Sequence, residues 1–239
     1  KILQKRSMKG KTVVQTEDIA LSKDTYRYDD SSLYYHRLGI YDGDTLQCTV
    51  DAEGKVHQPL NPDRITSWEA CGVTDDFVWT NEDLKTFQGV YQGNHHVISG
   101  ALFCGSSAGL ISSLEGAVVN LRMEHCASIA QTLCQAIVVG TSSGTVSNCS
   151  VSDSIVVSAD TDAYTGAIVG LSNPNSVISY NTSENNRIMN DGKAAGGIVG
   201  HSYVSVRDCL VNGGAVSGKE CTGGIVGTVA NSAEGIFIR

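Results

Sequence analysis

From about residue 100 onward the apolar positions fall in runs of two or three residues, mostly Val and Ile, separated by Gly, Ser, Thr and Asn. Such runs are too short for helices and are bounded by turn-forming residues, which predicts short strands. The runs recur. AIVVG at 136–140, GAIVG at 166–170 and GGIVG at 196–200 and 223–227 close on Gly140, Gly170, Gly200 and Gly227, spaced 30, 30 and 27 residues apart. A degenerate copy, AGLIS, ends at Ser112, 28 residues earlier. A fixed period of this length means stacked coils, each burying its apolar face only against its neighbours.

Within each unit the spacing predicts three strands. The first carries Ile137–Val139, Ile168–Val169, Ile198–Val199 and Ile225–Val226, and the closing glycine is expected to permit a tight bend. A second begins at Val118, Val146, Val177 and Val206, with Leu121, Cys149, Tyr180 and Cys209 three positions on and expected to stack inward. The residues just before them, Asn120, Asn148, Ser179 and Asp208, suit a ladder of turns. A third run is Ala127–Ile129, Ile155–Val157, Arg187–Met189 and Ala215–Ser217, followed by a polar loop where length variation is expected to concentrate. The expectation is an all-β chain: a right-handed, single-stranded parallel β-helix of about five coils, roughly 24 Å long at the usual strand spacing. Paired glycines such as Gly196–Gly197 and Gly223–Gly224 argue against a helical repeat.

The stretch FQGVYQGNHHVISG at 87–100, followed by AGLISSLEGAVVNL at 108–121, resembles the opening of GLUG-motif repeat domains. Phe87, Gly89, Tyr91, Gly93, Asn94, His96, Ile98, Gly109, Leu110, Asn120 and Leu121 match the family pattern, whereas Gln92, His95 and Ser112 depart from it. The resemblance covers residues 79–239 and implies a parallel β-helix of a secreted or surface-anchored bacterial protein, with no catalytic residues of its own.

Residues 1–78 are read as a β-rich N-terminal unit with a basic tail. TVDAEGKV at 49–56 reads as a hairpin around Glu53 and Gly54, and Thr80 or Asn81 as the cap of a short helix through Lys85 that covers the first coil. Residues 1–86 hold 11 of the 17 basic and 15 of the 25 acidic residues, so the repeats are polar through Ser, Thr and Asn. A net charge of −8 argues against nucleic acid as a partner, because phosphates demand a basic face. No apolar stretch reaches the roughly 18 residues that span a membrane. No signal-peptide pattern is visible, and the start is expected to lie behind a signal or inside a longer chain. At the other end, Ile236–Arg239 breaks off within a coil without a polar cap, so the chain is expected to continue or to fold its tail over the end.

The eight cysteines lack a simple disulfide framework. Cys149 and Cys209 share a slot two coils apart, roughly 9.6 Å, beyond the ~7 Å reach of a disulfide, and are read as reduced core residues. Cys134 and Cys221 are equivalent but three coils apart. Cys104 with Cys134, then Cys48 with Cys71, are the candidate bridges. His95–His96 and His125–Cys126 lack metal-ligand spacing, and no cofactor is expected. Asn148-Cys149-Ser150 and Asn181-Thr182-Ser183 match the glycosylation sequon.

The expected function is non-enzymatic: an extracellular or cell-surface domain binding a host or microbial glycan or a matrix protein, or a scaffold for neighbouring domains. Binding residues belong on the corner loops 158–165, 189–195 and 217–222, because loops on a rigid scaffold vary freely. Asp160, Asp162, Tyr164, Asp191 and Tyr203 are the candidates, with Tyr164, Tyr203 and the histidines as sugar-stacking groups. The rival is a polysaccharide lyase or hydrolase gathering Asp153, Asp160, Asp162, Glu184, Arg187 and Asp191 in a groove. No nucleophile elbow, phosphate loop or dinucleotide fingerprint is present.

Overall fold

A computed structural model describes residues 8–23, 25–28, 37–53, 55–57, 86–105, 109–230 and 238. The predicted capping helix at 80–85, the tail lysines Lys1 and Lys5, and Cys71 with its pairing to Cys48 lie outside the described residues.

The repeats form a parallel β-solenoid of about five coils, with five short strands in each full coil where the sequence predicts three. Strands at the same place in successive coils pair in register into five walls. Wall 1 stacks Thr12–Val14, Val90–Gln92, Ala117–Val119, Thr145–Ser147, Val177–Ser179 and Val206–Arg207. Wall 2 stacks Ile19–Ala20, Val97–Ser99, Arg122–Glu124, Ser150–Ser152, Thr182–Glu184 and Leu210–Asn212. Wall 3 stacks Leu102–Gly105, Ala127–Ala130, Ile155–Ser158, Arg187–Asn190 and Ala215–Gly218. Wall 4 holds Cys134–Gln135, Tyr164–Gly166, Ala194–Gly196 and Cys221–Gly223; wall 5 holds Ile111–Leu114, Val139–Ser142, Val169–Ser172, Val199–Ser202 and Val226–Val229. No described helix is long and apolar enough to cross a membrane.

The corners explain the short strands. Asn120, Asn148, Tyr180 and Asp208 turn the chain between walls 1 and 2 with φ of 56, 53, 57 and 53°. His125, Asp153, Asn185 and Gly213 do the same between walls 2 and 3, with φ of 52, 49, 52 and 66°. Asn, Asp and Gly tolerate this left-handed conformation, so the polar residues that punctuate the apolar runs are the corners themselves. After several corners a polar side chain points inward and ties one coil to the next. Asn181 accepts from Cys149 N at 3.0 Å and donates to Val146 O at 2.9 Å. One corner on, Asn186 accepts from Ser154 N at 2.9 Å and donates to Val151 O at 2.8 Å. Buried amides so satisfied hold register where an apolar side chain would only fill space.

Three expectations are corrected here. Val146 pairs with Ile178 instead of Val177, and Ile178 in turn pairs with Val206. Asn173–Ser176, closed by a Ser176 N to Asn173 O bond of 3.0 Å around Pro174, lengthens the preceding corner and moves the register on by one. Tyr180 therefore sits at the left-handed corner, 61% exposed, and Asn181 takes the inward slot between Cys149 and Cys209. Length variation consequently occupies two corners of the coil. Second, the repeat glycines do not bend the chain: Gly140, Gly170, Gly200 and Gly227 lie inside wall 5 strands. Their missing side chains let wall 4 pass close by. A Cβ on Gly200 would stand 2.4 Å from Thr165 N, and one on Gly170 2.5 Å from Gln135 N. Third, Thr12–Val14 and Ile19–Ala20, assigned by sequence to a separate unit ending at residue 78, pair with the first coil of walls 1 and 2.

The remaining N-terminal strands, Thr25–Tyr28, Arg37–Asp42, Thr45–Asp51 and Val56–His57, make an antiparallel sheet that includes the predicted 49–56 hairpin. This sheet lies along the solenoid's flank. Wall 3 is apolar on both faces: Phe103, Val156 and Ile188 point inward, whereas Leu102, Cys104, Ile129 and Val157 face Tyr26, Leu38, Ile40, Cys48 and Val50. Continuous apolar triplets such as Ile155–Val157 are the signature of a strand buried on both sides. At the C-terminal end Ile238 forms a parallel bridge to Val206.

Candidate binding surface

The predicted acidic residues separate into two places. Asp160 and Asp162 occupy the corner between walls 3 and 4, where Asp162 N donates to Asp160 Oδ1 at 2.8 Å and Lys193 Nζ pairs with Asp162 Oδ1 at 2.7 Å. Asp191 is exposed on the next coil of that corner, its N–H bonded to Ser158 O. Asp153 and Glu184 lie instead at the far end of wall 2, where Asn212 Nδ2 donates to Glu184 Oε1 at 3.2 Å. Arg187 reaches the flanking sheet, its guanidinium 5.4 Å from the Tyr28 ring. The six groups thus do not converge on one groove.

Tyr164 and Tyr203 are brought together by a residue the sequence reading did not single out by number. His201 lies in wall 5, directly after the repeat glycine Gly200, and Tyr164 lies in wall 4. Because Gly200 lets the two walls approach, the Tyr164 and His201 rings come to 4.8 Å between centroids, tilted by 30°. Tyr203 meets the other side of His201 edge-on, at 4.9 Å and 85°. Both geometries suit the ring quadrupoles. His201 Nδ1 is 2.6 Å from Thr228 Oγ1, and burial lowers the imidazole's affinity for a proton below its ordinary value. The ring is therefore uncharged at neutral pH, where even an unperturbed histidine is mostly neutral.

The surroundings mix an apolar residue, neutral polar groups and one ion pair. Leu171 stacks beneath His201 in wall 5, and Asn173, beneath Tyr203, donates to Ser143 Oγ at 3.0 Å. Lys193, one residue before Ala194, which pairs with Tyr164 in wall 4, is bound to Asp162, and that carboxylate bond is what chiefly raises its affinity for a proton. Tyr203 is 45% exposed and Tyr164 partly so, so the cluster faces solvent from a rigid wall. The position after the repeat glycine reads Thr141, Leu171, His201 and Thr228, an outward column that the register makes plain and the apolar pattern does not.

The cysteines make no disulfide among the described residues. The predicted Cys104–Cys134 bridge is thereby corrected. Cys104 pairs with Ile129 in wall 3 and faces the flanking sheet, while Cys134 belongs to wall 4. Cys149 is buried in the inward slot expected of it, and Cys209, equivalent to it, is half-buried in the last coil. Cys134 and Cys221 are equivalent wall 4 positions, as expected. Burial pushes the Cys126 thiol up to about 12 and those of Cys104 and Cys149 up to about 11. Such thiols are poor nucleophiles. Of the two sequons, Asn181 is fully buried, and Asn148 is exposed with its Nδ2 bonded to Asn120 Oδ1.

Among the described residues no three His, Cys, Asp or Glu side chains gather as metal ligands. His96 instead meets Asp18 at 3.2 Å, and His125 turns a corner beside buried Cys126. Compared with family models, curated proteins and solved structures, the chain matches none.

Proposed function

We propose that this chain is a non-enzymatic ligand-binding domain of a bacterial extracellular or cell-surface protein of the GLUG type, acting in adhesion through the outer surface of walls 4 and 5. The observation that carries this reading is the Tyr164–His201–Tyr203 cluster, in which both tyrosine rings pack on His201, with Tyr164 and His201 on strands paired on both sides and Tyr203 just beyond the strand end. Aromatic rings fixed on a rigid scaffold bind with little ordering cost, which is what a recognition surface requires. Asp153 and Glu184 lie on one corner and Asp160, Asp162 and Asp191 on another, so the carbohydrate-active enzyme reading has no single groove in which its candidate groups converge.

The test is a binding screen of the domain against glycans and matrix proteins, repeated with Tyr203→Ala. A saturable ligand lost in the variant supports the reading. A blank across the screen would leave the solenoid as a spacer for its neighbours.

A further inference from the structure

We propose that the ligand of the Tyr164–His201–Tyr203 surface is an uncharged pyranose glycan, gripped by ring contact and hydroxyl hydrogen bonds instead of ion pairing. This rests on the binding-surface reading above and goes on to name the chemistry of the ligand.

Three features of the surface point the same way. The rings offer apolar faces and edges on which the C–H face of a pyranose can lie, the amphipathic role that tyrosine fills at recognition surfaces. Beside them stand groups that exchange hydrogen bonds with hydroxyls: the Tyr164 and Tyr203 hydroxyls, the Asn173 amide and His201 Nε2. Charge is balanced locally, since Lys193 is held by Asp162 at 2.7 Å and His201 is a neutral ring bonded to Thr228. An anionic glycan such as a uronate or a sulfated chain would meet an uncharged His201 and a Lys193 already paired with Asp162, and would approach a chain of net charge −8. A peptide strand is also disfavoured. Walls 4 and 5 are paired with a neighbouring coil on each side at Tyr164 and His201, so no backbone edge is open there for an added strand.

The experiment measures binding to panels of neutral glucans, galactans, mannans and N-acetylhexosamine oligomers beside uronate, sialylated and sulfated glycans, at about 50 and 500 mM salt, a change that strongly shortens electrostatic range. Wild type, Tyr203→Ala and Tyr203→Phe are compared, with the unfolding temperature of each as the folding control. Expected is binding to a neutral glycan that changes less than about twofold with salt, falls by about tenfold in Tyr203→Ala and is largely kept in Tyr203→Phe. Binding confined to anionic glycans and weakened by salt would overturn the ligand class while leaving the surface intact. No glycan binding at all would overturn this inference, and binding of any ligand undiminished in folded Tyr203→Ala would overturn the surface reading with it.

Discussion

Replacing Gly200 by alanine tests the role of the repeat glycine. Its Cβ would lie 2.4 Å from Thr165 N, 2.7 Å from Gly170 O and 2.7 Å from the Tyr164 carbonyl carbon. Ordinary contact is about 3.5 Å or more, so walls 4 and 5 would have to part by about 1 Å. All three obstacles are backbone atoms in strands paired with neighbouring coils, and no side-chain rotation relieves them. Overpacking of this kind costs about 1–3 kcal/mol, and the upper end is expected here. For a chain of this size that corresponds to a fall of roughly 6–12 °C in unfolding temperature. Gly224, in the following copy of the repeat, is the control, because its Cβ would meet nothing within 4 Å. Gly224→Ala should be neutral or stabilising by up to about 1 kcal/mol through reduced unfolded-state freedom. Thermal melts of the two variants decide the matter. If Gly200→Ala melts within about 2 °C of Gly224→Ala, close approach is not why glycine stands there.

Two further outcomes follow from the corners and the core. Tyr180→Asn should stabilise by about 0.5–1 kcal/mol, since asparagine tolerates the left-handed corner and the ring is 61% exposed; a loss of stability in chemical denaturation would contradict this. In the native protein a thiol alkylating reagent should label exposed Cys221 and spare Cys126 and Cys149 until unfolding, as peptide mass mapping would read; early labelling of Cys149 would show that its corner opens.

Much of the architecture was legible because it rests on repetition. The period, the stack of Val118, Val146 and Val206, and the wall 3 runs all survive in three dimensions. What misled was the assumption of equal spacing. The turn around Pro174 inserts length between Ser172 and Val177, and an apolar residue on each side of the slip, Val177 or Ile178, satisfies the pattern equally well. Polar Asn181 in an inward slot was hidden for a related reason: its burial depends on hydrogen bonds to Cys149 and Val146 in the adjoining coil, which hydropathy does not register. The five-strand coil was missed because only one set of dividing corners, that of Asn148, reads as turns, whereas Asp153 and its equivalents His125 and Asn185 look like ordinary polar members of a strand's outer face. For the binding surface, Tyr164 and Tyr203 were visible as exposed aromatics. Their meeting through His201 requires the 37-residue separation between Tyr164 and His201 to be folded into adjoining walls.

The antiparallel sheet on the outer face of wall 3 makes the two ends of the solenoid mechanically unequal. It bears on Leu102, Ile129 and Val157 in three successive coils, is tied to the second by Gln131 Nε2 donating to Glu53 Oε1 at 2.7 Å, and touches the fourth through Arg187 and Tyr28. In the last coil the corresponding residues, Ala215 and Ser217, face solvent. Tension on the domain would therefore strip coils from the C-terminal end first, each releasing about 100 Å of chain. The splinted coils would give way last and together, so the sheet sets the order in which the solenoid yields.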